Sequence, residues 1–591
     1  MKIKCIFLCC MFLSYITYAT NYYFSESLGN DSWSGRFPVP NGNNTDGPKK
    51  SLIALNTLLD NLAKPGDSIL LRRGDRWSGT NGIAVGAAQG TASNYIIISA
   101  YGLGKKPIIN KTSAGEILLC RGSSNKESAY LKFQNLSLTT TAAIGNRPTG
   151  VYINESFYSL KPHHIILDSL HIMGCQNGMI LYQQNILVEN CLIEKNGNMN
   201  QGHGIFSAAN DVNFKNNVLD SNGCGSFFVH SVYISQSNNV IFEGNEIKNA
   251  DDGLKLRAST NLLIKNNRIH DMYIHTIHVG GDQSSGTKNV IIEGNIIYNS
   301  PQGLRISSES GTQTLLSENI IIRNNIFPSQ VFISDNGPIK DVYFYNNLVH
   351  TGNNQAALFL TNAINPINLQ IKNNIFYKNT VNNNHSLLGF ISNTGLNGIS
   401  LDHNLYYFPV LSNTLLTIGT TAFKTLPTFR AVYTNQELNG QHGNPNFVAP
   451  PTDFHLTPTS ILAIDRGLNL NNTVSFDLDG LSRPLDGDGI NGAAMDIGPY
   501  EYCCVVNTKT NINPSVGFYI YPNPTENELS ISIADEIPKK IVLLNLSGSV
   551  ALEITNCNLT TKCNLENLNT GVYIIFVHLN NEIRIDKIIK Q

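Results

Sequence analysis

The sequence predicts an all-β protein: a right-handed parallel β-helix of about ten or more coils with an N-terminal capping helix, followed by a small C-terminal β-sandwich. Three observations carry that prediction. The chain contains an internal repeat of 22 to 30 residues, many short alternating segments without long 3.6-residue periodicity, and a composition rich in Asn, Gly, Ser, Thr, Ile and Leu.

The repeat is the strongest of the three. An apolar residue, two variable residues, Asn and then one or two apolar residues recur at Phe214–Asn217, Phe242–Asn245, Ile264–Asn267, Ile292–Asn295, Ile322–Asn325, Phe344–Asn347, Ile371–Asn374 and Leu401–Asn404. Successive asparagines lie 28, 22, 28, 30, 22, 27 and 30 residues apart, and looser versions precede them around Leu170 and Cys191. This period fits one turn of a β-solenoid, whereas a propeller blade needs about 40 residues. Helical repeats would need longer amphipathic stretches. Asparagines at one fixed turn position can bond coil to coil through their amides. Unequal periods place the insertions in one set of loops while the strands keep register.

The remaining elements follow in order. Residues 1–19 read as a signal peptide, with Lys2 and Lys4 ahead of an apolar stretch from Cys5 to Tyr18 and small residues at Thr17, Ala19 and Thr20 for cleavage. Cys9 lacks the small residue that normally precedes a lipoprotein cysteine, which favours a soluble product. Residues 20–440 read as the coils with their cap. In that cap Leu52, Leu55, Leu58, Leu59 and Leu62 share one helical face, which would cover the open end of the solenoid. Residues 441–502 read as a tail, 503–515 as a polar linker and 516–591 as the sandwich.

Tyr22–Gly35 (YYFSESLGNDSWSG) and Lys64–Asp75 (KPGDSILLRRGD) resemble the opening segments of pectate-lyase-like β-helix proteins. With the coils, this resemblance spans about residues 21–502 and implies a fold used mostly on polysaccharides. Ala463–Gly467 (AIDRG) and Asp496–Glu501 (DIGPYE) are similar to the tail that often closes such helices. Phe518–Ser532, with its Tyr-Pro-Asn-Pro motif, and Leu568–Phe576 resemble the C-terminal sorting domain of type IX secretion cargo. That second resemblance implies a Bacteroidetes-type cell and a partnership with the type IX secretion machinery. It also implies delivery to the cell surface or exterior and removal of the domain on export.

Composition narrows the function classes. With 41 basic against 43 acidic residues and only 14% charged, the chain lacks the dense basic field of a nucleic-acid binder. No segment after the leader is long and apolar enough to span a membrane, and the chain is read as a monomer. Of 11 cysteines, eight lie beyond the leader and show no metal-ligand spacing. Cys557 and Cys563 form a candidate local disulfide, while Cys191 and Cys224 read as buried thiols. Asp486, Asp488 and Asn491 could hold calcium, but they do not follow the EF-hand pattern, and a polar turn explains them. No metal site is assigned, and a Ca2+ ion bridging protein and substrate carboxylate is left open.

Stacking the coils locates the candidate site. One strand per coil follows the pattern small, apolar, variable, apolar, variable, and its third position points outward. Down the chain that position reads Ile180, Phe206, Tyr233, Lys255, His278, Arg305, Phe332. The position just before the strand reads Asn177, His203, His230, Asp252, His275, Gln302, and Arg257 stands two residues beyond Lys255. Coils about 4.8 Å apart would gather these groups into a patch about 15 Å long, enough for three or four sugar residues.

A strip of Lys, Arg and His flanked by aromatic faces suits an anionic, uronate-containing polysaccharide. Uronate lyases and epimerases need a cation at the carboxylate, a base for the C5 proton and an acid for the leaving oxygen. Arg305 or Arg257 could supply the first, Lys255 or His278 the second and Tyr233 the third. His203, His230, His275, Phe206 and Phe332 would then contact substrate.

Hydrolysis is the alternative reading. Asn249–Lys255, His275–Asp282 and Gly303–Ser307 resemble the motif order of polygalacturonase-like hydrolases. That resemblance implies Asp251 and Asp252 as acid and base, His275 or His278 as a positioning group and Arg305 as the anchor. Ser307 stands where that family has lysine, and His230-Ser231 where it has another aspartate. A third reading is a non-catalytic glycan binder or adhesin, which would keep the aromatic positions and tolerate loss of the ionisable ones.

Overall fold

The computed structural model describes residues 19–590 apart from 154–158, 198–201, 226–227, 283, 308–315, 336–338, 352–355, 362–365, 380–384, 392–394, 411–412, 491, 503–517, 522–524, 534–535, 546–549 and 581–582. Residues 1–18 of the segment read as a signal peptide, the segment 503–515 read as a linker, Asn491 and the Pro-Asn-Pro of the sorting motif lie outside the described residues. The chain divides into two compact units, residues 1–502 and 503–591.

The first unit is a right-handed parallel β-helix built from three sheets of 14 strands. Sheet 1 begins at Asn21–Phe24, sheet 2 at Arg76–Gly79 and sheet 3 at Ile83–Val85, and each coil contributes one strand to each in that order. Pairing is parallel along all three sheets until the last strand of sheet 3, where Thr421–Phe423 folds back antiparallel on Leu416–Ile418. Alternation sends Ile, Leu, Val and Phe into one continuous core that runs the length of the helix. Side chains from successive coils stack there in register, as in Val212, Val240, Leu262, Val290 and Ile320.

The repeated asparagine makes the corner between sheets 1 and 2. The residue before it adopts a left-handed backbone at Asn216, Gly244, Asn266, Gly294, Asn324, Asn346, Asn373 and His403. Asn and Gly tolerate that conformation best, so the turn reads Asn-Asn or Gly-Asn. At Gly294 a Cβ would sit 2.2 Å from Asn266 Oδ1 of the coil before, so glycine gives the neighbouring amide room.

Inside the corner, each repeated Asn from Asn245 onward accepts two bonds on its Oδ1, from the backbone N–H and the Nδ2 of the preceding coil's Asn, while Asn217 Oδ1 accepts the Cys191 N–H. Asn267, for example, donates to Asn295 Oδ1 from N at 3.0 Å and from Nδ2 at 2.9 Å. The ladder runs Asn217, Asn245, Asn267, Asn295, Asn325, Asn347, Asn374, Asn404, with all eight buried. It ends on buried Glu437, which accepts from Asn404 Nδ2 and the Tyr406 hydroxyl, both at 2.6 Å. Burial pushes the Glu437 carboxyl up to about 7, against the hydrogen bonds from Tyr406 and Asn404.

The cap is a helix at Leu52–Asn61, opened by Ser51, whose hydroxyl accepts the Ala54 N–H at 3.1 Å. Leu52, Leu55, Leu58 and Leu59 are buried against the first coil, whereas the helix ends at Asn61 and leaves Leu62 59% exposed. The expected apolar face is therefore one residue shorter, because the chain turns before Leu62 can join it. The helix also saturates the exposed edge of sheet 3. Asn56 bonds Gly82 and Ala84, and Asp60 accepts the N–H groups of Gly86 and Ala87.

The tail packs back on the corner between sheets 1 and 2. Asn346 Nδ2 donates to the Asp496 and Gly498 carbonyls, and Asn373 Nδ2 to the Leu468 carbonyl. Within it Arg483 and Glu501 form a fully buried ion pair at 3.0 Å.

The second unit is a small sandwich. One sheet pairs Phe518–Tyr521, Glu528–Ile533 and Thr560–Asn564, and the other Val550–Ile554, Lys540–Asn545, Gly571–His578 and Ile583–Lys590. Leu529, Ile531, Ile541, Leu543, Ile575 and Val577 fill its core. Cys557 and Cys563 are unbonded buried thiols, correcting the expected disulfide. In the β-helix Cys191 is buried and unbonded and Cys224 is half-buried and unbonded.

Candidate active site

The site lies on the outer face of sheet 3. Its strands are Ile205–Ser207, His230–Ser235, Asp252–Arg257, His275–Gly280, Gln302–Ser307 and Gln330–Asp335. Gly178, Gly204 and Gly253 open their strands at positions where a Cβ would stand 2.4 Å from the next coil's carbonyl oxygen. That crowding explains the small residue at the head of the pattern.

Register brings the outward residues into one column: Ile180 pairs with Phe206, then Tyr233, Lys255, His278, Arg305 and Phe332. The preceding position aligns His230 with Asp252 and Asp252 with His275. Ring contacts place both columns on one face. His203 and His230 stack at 5.6 Å, and each lies just over 5 Å from the Tyr233 ring. Phe206 meets Tyr233 edge-on at 5.5 Å, and His275 lies 5.7 Å from His278.

Two connected groups emerge. In the first, buried Asp252 sits between two histidines, with His275 Nδ1 at 2.6 Å and His230 Nδ1 at 3.0 Å. The His275 contact is a hydrogen bond, whereas the His230 contact is an ion-pair approach whose angle falls outside hydrogen-bond limits. Burial raises the Asp252 carboxyl, but the two histidines outweigh it and hold the group below its ordinary value, as a carboxylate. His275 Nε2 in turn stands 3.3 Å from an Arg305 guanidinium nitrogen. His203 Nδ1 accepts the His230 backbone N–H, and burial, with the His230 charge adding to it, holds the His203 imidazole down at about 3.

In the second group, Lys255 Nζ lies 2.8 Å from His278 Nδ1, and His278 Nε2 lies 2.5 Å from Ser307 Oγ. Although both point outward, Lys255 is only 4% and His278 only 8% exposed. The centre of the column is therefore covered, at Lys255 and His278. Burial first, then the Lys255 and Arg305 charges, keep the His278 imidazole well below its ordinary value, so it is neutral near pH 7. Arg257 donates to the Tyr233 hydroxyl at 2.9 Å, which makes it a positioning group for that phenol. Arg305 and the edge aromatics Phe206 and Phe332 remain half-buried at the surface.

Among the described residues the Asp251 side chain bonds none of these groups, although its backbone carbonyl accepts the His275 N–H at 3.3 Å. It sits one residue ahead of the strand and accepts the Gly225 N–H at 2.6 Å. Sequence reasoning missed Ser307 as a partner of His278 and the pairing of Arg257 with Tyr233. Both residues hold position five of the pattern, whose side chains reach back to position three of the coil before.

Among the described residues the convergent acidic or histidine set able to hold a cation is Asp465, Asp486 and Asp488 in the tail. Asp465 already accepts the Gly487, Asp488 and Ala494 N–H groups, as a polar turn would. An all-carboxylate set suits hard cations and not copper, which favours imidazole and sulfur ligands.

Comparison with known proteins fits this architecture. Residues 228–376 match the right handed beta helix region, 519–591 the secretion system C-terminal sorting domain, and 108–285 the periplasmic copper-binding protein (NosD) family. No curated protein matches the sequence. Among solved structures, a GH136 lacto-N-biosidase from Eubacterium ramulus is 14% identical with TM-score 0.33, covering 66% of this chain and 68% of that one. A PL6 family alginate lyase is 13% identical with TM-score 0.41, covering 60% and 50%. The pectate lyase Pel9A is 12% identical with TM-score 0.38, covering 82% and 97%. No helix among the described residues is long and apolar enough to cross a membrane. The chain thus carries a right-handed parallel β-helix region and a type IX secretion C-terminal sorting domain, which directs it to the cell surface or the extracellular space.

Proposed function

We propose that the protein is a polysaccharide lyase acting on an anionic, uronate-containing glycan, with C5 epimerisation as the related reaction sharing its first step. The observation that carries this reading is the buried Lys255–His278–Ser307 contact beside Arg305. A neutral imidazole held among cations is a base that stays unprotonated, and those cations stabilise the carbanion formed when the C5 proton leaves.

Arg305 takes the uronate carboxylate, because its half-buried guanidinium can meet both oxygens. His278, or Lys255 through its contact with it, removes the C5 proton. The Tyr233 hydroxyl, held by Arg257, protonates the leaving oxygen as the bond between it and C4 breaks. His203, His230 and His275 line the approach, and Phe206 and Phe332 offer faces for sugar rings at either end.

The state of the aspartates counts against hydrolysis. An inverting hydrolase needs one protonated carboxyl and a second one roughly 6.5–9.5 Å away. Asp252 is held ionised between two histidines, and Asp251 is engaged with a backbone N–H.

The test is a panel of pectate, alginate, chondroitin and carrageenan, with new reducing ends measured separately from the ultraviolet absorbance of unsaturated uronates. Both signals together are the expected result. Reducing ends without absorbance would make the protein a hydrolase, and binding with neither signal would make it a glycan binder.

A further inference from the structure

A second site lies on a different sheet, in a cleft of about 1060 Å³ between the outer face of sheet 2 and the folded-back tail. Its floor includes Arg268, Tyr298 and His350, and its roof Phe454, His455 and Tyr500. The volume matches the upper end of the roughly 300–1,000 Å³ typical of small-molecule sites.

His350 is the informative residue. It is only 7% exposed, and its Nε2 is buried with no hydrogen-bond partner among the described residues. Its ring is fixed between aromatic neighbours, 5.3 Å from both Tyr377 and Phe454. A buried ring nitrogen without a partner is costly unless something entering the cleft bonds it.

The rest of the lining says what would enter. Tyr298 is stacked by His270 at 4.3 Å and flanked by the exposed Arg268 guanidinium at 5.8 Å. Across the cleft Tyr500 stacks on His455 at 3.9 Å, and His455 is itself braced by Asp453 and Asp479 at 2.6 and 2.8 Å. Flat aromatic faces with both donors and acceptors at their edges match a ring of hydroxyl groups. Acid and base are mixed here, unlike the cationic seam on sheet 3, so the pairing favours an uncharged ligand.

We infer that this cleft binds a neutral sugar unit, holding the protein on a glycan by a face other than the sheet 3 seam, on the same coils. Its ligand is an uncharged oligosaccharide whose hydroxyl bonds His350 Nε2 while its ring lies on Tyr298 or Tyr500.

The experiment uses the full chain with cellobiose and xylobiose as probes and digalacturonate as the acidic comparison, read by saturation-transfer NMR and calorimetry. At least one neutral disaccharide is expected to bind with a millimolar Kd. His350→Phe and Arg268→Ala should weaken that binding tenfold or more, and Lys255→Ala should leave it unchanged. Should His350→Phe fail to fold, exposed Arg268→Ala alone carries the test. Absence of neutral-sugar binding, binding untouched by the cleft variants, or binding lost with Lys255→Ala would each overturn the inference. The last outcome would assign the sugar to the seam and leave the lyase reading standing.

Discussion

Two polar columns run along this β-helix, and they are built on opposite plans. The corner between sheets 1 and 2 repeats one residue, Asn, on eight coils, each amide bonding the next. The seam on sheet 3 changes residue at every coil, from Phe206 through Tyr233, Lys255, His278 and Arg305 to Phe332. A column that repeats one group satisfies itself, so it serves the fold. A column whose groups differ brings unlike charges and pKa values into contact, which a solenoid does not need for stability and chemistry does. The ladder is buried throughout and the seam is buried at its centre, Lys255 and His278, so burial alone does not tell them apart. Periodicity does.

Mutations should separate the two. The largest effect belongs to the seam: Lys255→Met and His278→Ala should each lower kcat/KM on the identified glycan by roughly 10²–10⁴-fold. Their thermal unfolding should stay near that of the unaltered protein. A large loss of stability with full residual activity per folded molecule would reverse the assignment.

Asn295→Leu should do the opposite. It strands the Asn267 N–H and one of the two Nδ2 hydrogens, the other staying on the Phe242 carbonyl; at about 1–3 kcal/mol each, a loss of roughly 2–6 kcal/mol is expected in denaturant midpoint experiments. Activity per folded molecule should hardly change.

Glu437, where the ladder ends, gives the corner a pH signature. Its folded-state value of about 7 lies above its ordinary 4.5, so the folded protein holds the proton more tightly. The resulting stability is complete below about 4.5 and lost as pH rises through about 7. Glu437→Gln should flatten that slope, which amounts to about 3 kcal/mol by the shift alone. An unchanged stability profile between those limits would remove Glu437 from the account.

Arg305→Lys keeps the charge but loses the planar fork. A tenfold rise in KM with kcat nearly preserved is expected, and the reverse pattern would place Arg305 at the reacting bond. The smallest effect belongs to the exposed asparagine row on sheet 1. Among the described residues the Asn289 side chain bonds only Asn261 and Asn319, and Asn289→Gly, which keeps the left-handed backbone at φ 55°, should stay within about 0.5 kcal/mol.

Much of the fold was legible because a solenoid writes its geometry as a period. The Asn spacing located the corner, and two-residue alternation gave the vertical order from Ile180 to Phe332 without error. What the sequence could not show is lateral reach. Nothing in a period reveals that Arg257 reaches back a coil to Tyr233, that Ser307 meets His278, or that Lys255 and His278 are covered. The lone Glu437 breaks the pattern that would have flagged it. Cys557 and Cys563 sit close in sequence, yet Cys557 lies in the loop before the Thr560–Asn564 strand that holds Cys563, and both are thiols. Leu62 obeyed helical spacing, but spacing does not say where the helix stops.

The capping helix has a consequence for assembly. Parallel sheets that end abruptly offer bare backbone on which a second chain can polymerise end to end. Here the side chains of Asn56 and Asp60 occupy the terminal amides of sheet 3, while four leucines plug the bore behind them. A secreted solenoid so sealed resists fibril growth from that end, and loosening the Asn56 and Asp60 contacts is the direct way to invite it.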